Sequence, residues 1–380
     1  MTQSPVVHAP PRRPVPRSAP PGAAPSAGKC LPRLYAIDGL RLLAALAVVL
    51  FHFIGLVPSG PGVWGRSPAE VFPLAHRIAA YGWLGVELFF MISGFVICMS
   101  AWDRTLRDFI VSRVTRLFPA FWVCVLTTAV FLRLTGDRGM TPSRVLTNLT
   151  MVPEPLNVRY VDPAYWSLWS ELRFYLLFAV LAWTGLTYRR VVGFCGLWLV
   201  AAVIAPVSGL PLLTVVFQPA YAPFYIAGIL VYLLHRFGPS PTLWLMLGGT
   251  WLLAQHRLVA LVQGARTGDR ISWSIALALI TAGLALLVAL AMGRLRFLNR
   301  PWLVAAGALT YPLYLLHECI GWTLISWFHP HVPPYPLLAA LVAGLTATAW
   351  LTYRFIERPL GRRLKTALAG PGRRPVSTTP

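Results

Sequence analysis

Long, unbroken apolar runs restrict this chain to a membrane-embedded fold. Residues 271–292 read ISWSIALALITAGLALLVALAM and contain no charged side chain, and similar runs recur along the sequence. A helix rises 1.5 Å per residue, so about 20 apolar residues cross the roughly 30 Å hydrocarbon core of a bilayer. Because the runs are continuous rather than alternating, they exclude a β-barrel and predict an all-α, polytopic membrane helical bundle.

Ten transmembrane helices are predicted within one membrane domain, residues 34–362. The predicted spans are residues 36–57, 82–102, 118–136, 166–184, 190–206, 211–233, 241–256, 271–292, 302–327 and 335–355. Residues 1–33 are basic and rich in Pro and Ala, and residues 363–380 form a similar short end. Neither end buries enough apolar surface to fold, so both are predicted to be disordered cytoplasmic tails.

The chain is strongly basic, with a net charge of +21, although only 12% of its residues are charged. The basic residues flank the apolar spans, which favours a lipid bilayer and no nucleic acid as the partner. With the N-terminus inside, 23 of the 33 Lys and Arg residues lie on the inner side, nine lie in outer loops and Arg173 lies in a span. The positive-inside rule therefore predicts that both termini are cytoplasmic.

A few ionisable residues within the predicted spans are candidates for function. Each costs about 2.5–3.5 kcal/mol to insert at the centre of a membrane helix. They are Arg41, His52, Glu87, Glu171, Arg173, His317 and Glu318, with Asp38 at the entrance to the first span.

Three of these residues are predicted to share one face of the first span. Arg41 and His52 are eleven residues apart, which on an α-helix is about three turns, or roughly 16 Å along the axis. Asp38 lies one turn before Arg41 and is well placed to pair with it. A single His in a span is more often a packing residue, and from these residues alone packing and catalysis stay equally open.

Six motifs in order resemble the membrane acyltransferase-3 family over residues 35–362. They are the first span, GVELFFMISGFVI (85–97), RVTR (113–116), YWSLWSELRFYLLF (165–178), YPLYLLHE (311–318) and IERP (356–359). The family consists of bacterial O-acyltransferases, so the resemblance implies a multi-pass enzyme of the inner (plasma) membrane.

The resemblance also implies roles in the first span. Arg41 and His52 match a family pattern in which the His is catalytic and the Arg helps to hold the acyl donor. An imidazole is a suitable base for removing the proton of a hydroxyl acceptor near neutral pH. The thioester of acyl-CoA is already activated, so acyl-CoA is expected as a co-substrate, with no metal and no further cofactor.

Other matched positions have more than one possible role. Arg113 and Arg116 share a helix face and either bind a phosphate of the donor or act as ordinary positive-inside anchors. Glu171 either orients His52, binds the acceptor or forms a structural ion pair with Arg41. The remaining matched polar residues are supporting candidates, and Gly94 is expected to allow close helix packing. The supporting candidates are Glu87, Ser167, Tyr175, Tyr314 and His317.

The sequence therefore predicts transfer of an acetyl or a short or branched acyl group to a hydroxyl. The resemblance implies a sugar, a surface glycan or a glycosylated metabolite such as a macrolide as acceptor, which links the chain to carbohydrate O-acetylation or antibiotic biosynthesis. Transport of organic anions or acylated metabolites is the main alternative, because a polar stripe in a helical bundle is also typical of carriers. A scaffold role is disfavoured by the cost of the buried ionisable groups.

Overall fold

The computed structural model describes residues 34–57, 62–264 and 271–369, and within them the chain is helical with no strand. Sixteen α-helices are present in these ranges. They are α1 Tyr35–Leu50, α2 Pro68–Val71, α3 Pro73–Ala79, α4 Leu84–Ala101, α5 Leu106–Leu134, α6 Pro142–Leu149, α7 Trp166–Trp183, α8 Tyr188–Ile204, α9 Pro211–Phe217, α10 Ala222–Phe237, α11 Pro241–Gly264, α12 Trp273–Ala291, α13 Leu303–Leu316, α14 Glu318–Phe328, α15 Pro334–Thr352 and α16 Arg358–Ala369.

The helices confirm an all-α, polytopic membrane bundle. Eight helical segments are long and apolar enough to cross a bilayer, and a ninth is formed if α13 and α14, which meet at a 68° bend, are taken as one span. The fourth predicted span, residues 166–184, corresponds to α7, which has 18 residues but is more polar than these segments. It includes Glu171 and Arg173, so its polarity reflects the residues that it brings into the bundle.

The closest helix packing joins α4 and α10 and depends on two glycines. A Cβ at Gly94 would lie 2.1 Å from the carbonyl oxygen of Tyr225, and a Cβ at Gly228 would lie 1.9 Å from that of Met91. Small residues allow this approach, which increases van der Waals contact where lipid provides no hydrophobic drive. The expected packing role of Gly94 agrees with this geometry.

Two predicted boundaries differ from the structure. Helix α5 begins at Leu106, so Arg113 and Arg116 lie well inside a long helix rather than at the entrance to a span. Helix α16 continues to Ala369, so the expected tail boundary after residue 362 lies within a helix. Residues 1–33 and 370–380, where tails are predicted, lie outside the described residues.

Candidate active site

His52 lies in a π-helical turn, Phe51–Gly55, that follows α1. Such a turn leaves backbone carbonyls without their usual helical partners, and π-turns in membrane helices are frequent at functional sites. Here three successive carbonyl oxygens accept hydrogen bonds from ring N–H groups of other segments. Trp322 donates to His52 (2.8 Å), Trp64 to Phe53 (2.8 Å) and His76 to Ile54 (2.7 Å). These contacts hold the backbone around His52 in place.

His317 lies at the break between α13 and α14, where the chain bends by 68°. Its side chain is fully buried. The Nδ1 atom is 2.8 Å from the carbonyl oxygen of Tyr314, and the hydroxyl of Tyr165 donates to the carbonyl oxygen of Leu315 (2.9 Å). Side chains thus satisfy carbonyls that the interrupted helix leaves free, as non-helical backbone within a membrane protein requires.

The two histidines are hydrogen bonded to each other, with His317 Nε2 2.9 Å from His52 Nδ1. A carbonyl oxygen only accepts, so His317 Nδ1 must carry a hydrogen, and its neutral Nε2 is an acceptor. His52 Nδ1 therefore donates, which also suits the carbonyl oxygen of Val48 at 3.0 Å. The Nε2 atom of neutral His52 is left with its lone pair free to accept a proton.

The buried carboxyl group of Glu318 lies near this nitrogen, and that of Asp162 lies next to Glu318. Glu318 Oε2 is 3.7 Å from His52 Nε2. The Glu318 carboxyl is also a hydrogen-bond partner of Asp162, whose own oxygens accept from the backbone N–H groups of Ala164 and Cys319, each at 3.0 Å. Burial raises the pKa of Asp162 to about 6, while these backbone donors oppose the rise. Asp162 thereby fixes the beginning of α14, where Glu318 lies.

A cavity of about 740 Å³ lies at the end of the bundle where α1 and α5 begin and α15 ends. Its outer part is rich in cations and its inner part is apolar. Six cations and three acids line it, which gives a formal excess of three positive charges. They are Arg41, Arg113, Arg116, Arg358, Arg362 and Lys365, with Asp38, Glu171 and Glu357. The apolar part includes Val86, Phe89, Phe90, Ile92, Val96, Ile97 and Leu168.

Acidic groups lie near two of the cavity arginines. Arg116 donates to Glu357 at 2.9 Å, and Glu357 is only 4% exposed. Arg41 has Asp38, Glu171 and Arg116 as charged neighbours. The Glu171 carboxylate in turn accepts hydrogen bonds from Ser93 (2.9 Å) and from the hydroxyl of Tyr175.

Tyr314 lies between the cavity and the histidine pair. Its hydroxyl is 2.6 Å from Ser167 Oγ and donates to the carbonyl oxygen of Ala164 (2.8 Å). Tyr314 and Ser167 line the cavity, whereas His52 and His317 do not. The rings of Tyr314 and His317 are 5.5 Å apart. The His52 side chain is 14% exposed although it does not line the cavity.

The structure divides the predicted site residues into two groups. One group lines the cavity: Asp38, Arg41, Arg113, Arg116, Ser167, Glu171, Tyr175 and Tyr314. The second group consists of His52 and His317. Glu87 belongs to neither group; it is buried, and its Oε2 has no hydrogen-bond partner among the described residues. Arg41 lines the cavity and His52 does not, which agrees with the predicted separation of about three helical turns between them.

The carboxylate beside His52 is Glu318, not Glu171, which lies with Arg41 in the cavity. Sequence reasoning gave Glu318 no role and did not include Asp162. One signal was present: Glu318 directly follows His317 in YPLYLLHE, and Asp162 precedes Pro163 at the start of a helical turn.

His52, His317 and Glu318 also offer ligand atoms that lie within 4.8 Å of one another, a spacing that suits one metal ion. A metal bound at His317 Nε2 would take the lone pair that accepts the hydrogen bond from His52. In the structure this lone pair accepts the hydrogen bond from His52 Nδ1. The geometry therefore fits a pair in which His317 holds His52 and the Nε2 atom of His52 can accept a proton.

The hydrogen-bonded histidine pair lies in a multi-pass helical bundle, beside Tyr314, which lines a cavity rich in cations. A family model described as an acyltransferase domain matches residues 34–354, which is most of the chain. The chain therefore belongs to the acyltransferase-3 family.

Two named proteins are similar to this chain over nearly their whole length. Nodulation protein 10 of Rhizobium leguminosarum bv. viciae is 27% identical over 364 residues, which cover 87% of this chain and 94% of that protein. Acyltransferase MdmB of Streptomyces mycarofaciens is 27% identical over an alignment of 391 positions, covering 92% and 95%. Peptidoglycan O-acetyltransferase OatA of Listeria monocytogenes is 28% identical over 102 residues, 25% of this chain and 13% of that protein. No solved structure matches the chain.

Proposed function

We propose that this membrane acyltransferase transfers an acetyl or other short acyl group from acyl-CoA to a hydroxyl of a sugar, a surface glycan or a glycosylated metabolite. The observation that supports this most is the shape of the cavity. Its cationic outer part suits the phosphates of CoA, and its apolar inner part suits the pantetheine arm and the acyl group. The inner part ends at Tyr314, next to the histidine pair.

In the proposed reaction, His52 Nε2 accepts the proton of the acceptor hydroxyl. The hydroxyl oxygen forms a bond to the thioester carbonyl carbon, the carbon–sulfur bond breaks, and the CoA thiolate leaves and receives the proton that His52 accepted. His317 keeps His52 in the tautomer that has a free Nε2 lone pair. Glu318, 3.7 Å from this nitrogen, stabilises the imidazolium that forms.

The donor and the acceptor approach His52 from different sides. Since Tyr314 and Ser167 close the inner end of the cavity, their hydrogen bond must open before a thioester reaches the histidines. The exposed edge of His52 is available to an acceptor that does not enter the cavity. With both termini in the cytoplasm, the cavity would face cytoplasmic acyl-CoA across the plasma membrane, and the acceptor would come from outside.

Acyl transfer by the purified protein in detergent tests this proposal, because transport is impossible without a closed compartment. The protein is incubated with labelled acetyl-CoA and with glycan and metabolite fractions from cells that lack the gene, and labelled products are identified by mass spectrometry. We expect transfer by the wild-type protein and a loss of about 10²–10⁴-fold in His52→Gln, as removal of a general base predicts. Absence of transfer in detergent, together with uptake of an organic anion by vesicles containing the protein, would favour a transporter.

A further inference from the structure

Helix α16 borders the open end of the cavity and is fixed on α5 by backbone contacts. A Cβ at Gly361 would lie 3.0 Å from the carbonyl oxygen of Thr115, so glycine allows the two helices to approach closely. At the last turn, the Arg107 guanidinium donates to the carbonyl oxygen of Leu368 (2.9 Å). The position of α16 beside the cavity is therefore set by contacts in its middle and at its end.

Three cations of α16 project from one face of the helix. Arg358, Arg362 and Lys365 are separated by four and three residues, the spacing of neighbours on a helix surface. All three are exposed and line the cavity. In the part of the chain that the structure describes, none of them has a carboxylate within ion-pair distance.

The other arginines of the cavity differ in their surroundings. Arg41 and Arg116 lie next to acidic groups. Arg113 is held by Ser112 (3.0 Å), and its buried Nε has no hydrogen-bond partner among the described residues. The positive excess of the cavity therefore arises from Arg113 and from the face of α16, which point to an anionic ligand that the protein itself does not supply.

We infer that Arg358, Arg362 and Lys365 form a subsite for a phosphate monoester at the nucleotide end of the acyl donor, which in acyl-CoA is the 3′-phosphate of the ribose. This inference rests on the proposed function. A phosphate monoester carries close to two negative charges and three acceptor oxygens, so it suits several cations without competing carboxylates.

The order of groups along the cavity agrees with the order of groups along the donor. The thioester end lies at Tyr314 and Ser167, the internal diphosphate lies at the partly buried Arg113 and Arg116, and the terminal phosphate lies at the exposed α16. Because a headgroup of an anionic lipid offers the same phosphate chemistry near the membrane surface, the experiment must separate these two sources.

Equilibrium binding of CoA and of 3′-dephospho-CoA to the purified full-length protein in detergent tests the subsite without knowledge of the acceptor. We expect the wild-type protein to bind dephospho-CoA at least about tenfold more weakly than CoA, because charge-assisted hydrogen bonds to phosphate are roughly twice as strong as neutral ones. The Arg362→Gln/Lys365→Gln variant should bind CoA about as weakly as dephospho-CoA. The control variant Arg354→Gln/Arg363→Gln also removes two positive charges, but from residues that do not line the cavity. It should keep the preference for CoA over dephospho-CoA.

Four outcomes decide the subsite, and a fifth tests the proposed function. Loss of the preference only in the cavity variant supports the subsite. Equal binding of CoA and dephospho-CoA by the wild-type protein overturns it, and this comparison needs no variant. If the control variant also loses the preference for CoA over dephospho-CoA, the subsite is overturned, because binding then depends only on the overall charge of the protein. Unchanged CoA binding by the cavity variant, with weaker binding to phosphatidylglycerol vesicles after reconstitution, overturns it in favour of a lipid. If the protein binds neither CoA nor dephospho-CoA, the proposed function itself fails.

Discussion

The Nδ1–H of His52 points at the Nε2 lone pair of His317 across 2.9 Å. Each residue lies at an irregularity, His52 in a π-helical turn and His317 at a helix break. Both irregularities bring ring nitrogens and carbonyl oxygens together that straight helices would hold apart. The pair therefore fixes which nitrogen of His52 is free to accept a proton.

In the proposed mechanism His317 is a positioning residue, so the activity of a variant should depend on whether the new side chain can accept a hydrogen bond from His52. His317→Gln retains an acceptor for the N–H of His52, whereas His317→Leu does not. We expect the Leu variant to lose about 10²-fold or more in kcat, the Gln variant to retain most of it, and both to keep the wild-type KM for acyl-CoA. Steady-state kinetics of purified variants measures this, with His256→Gln on the exposed surface of α11 as control. Equal activity of the Leu and Gln variants would argue against the tautomer role.

Arg113 and Arg116 should contribute to donor affinity in a salt-dependent manner. Substituting Arg116 alone leaves the buried carboxylate of Glu357 without its ion-pair partner. The reference variant is therefore Arg116→Gln/Glu357→Gln, and Arg113→Gln is added to it. Since hydrogen bonds to charged groups contribute about 1.5–3 kcal/mol, the added change should raise the KM for acyl-CoA at least about tenfold at low salt. An unchanged KM in the well-folded variant would leave Arg113 as a topology anchor.

Chelation should leave the activity unchanged, because the lone pair of His317 is used by His52. The purified enzyme is assayed after treatment with EDTA or 1,10-phenanthroline and dialysis into metal-free buffer. Inactivation that Zn²⁺ reverses would instead assign His52, His317 and Glu318 as metal ligands, since two imidazoles and a carboxylate are a common zinc ligand set.

Stability should depend on pH through Asp162. Burial raises its pKa to about 6, above the usual value near 3.9 for an unfolded chain. A group with a raised folded-state pKa stabilises the protein while it is protonated, and this stabilisation is lost as the pH rises through about 6. The Tm of the wild-type protein in detergent should therefore fall between about pH 4 and pH 7, and Asp162→Asn should show a smaller fall. An identical slope for both proteins would contradict this assignment.

The membrane orientation is tested with reporter fusions at positions 60 and 155. Both positions lie in predicted outer loops, so an external reporter signal is expected at each and a cytoplasmic signal at the C-terminus. A cytoplasmic signal at position 155 would invert the side to which the cavity opens and, with it, the source of the donor.

Hydropathy predicted where the helices lie because the length of an apolar run depends only on the bilayer thickness. It did not predict the break at His317 or the π-turn at His52, since both depend on side-chain partners from distant segments, such as Trp322 and Tyr165. For the same reason Asp162 was missed, and Glu318 was a candidate without an assigned role. The cationic residues of α16 were assigned only to membrane orientation, because their place at the cavity depends on how α16 packs on α5.

The closure of the cavity at Tyr314 has an electrical consequence. Water in a cavity that opens at one end of a membrane bundle carries the potential of that aqueous phase to the inner end of the cavity, so the voltage falls across the layer beyond it, which contains Tyr314, His317 and His52. A unit charge that crosses 100 mV changes in energy by about 2.3 kcal/mol. In the proposed mechanism, a proton moves to and from His52 within this layer, so the rate of acyl transfer should depend on the membrane potential.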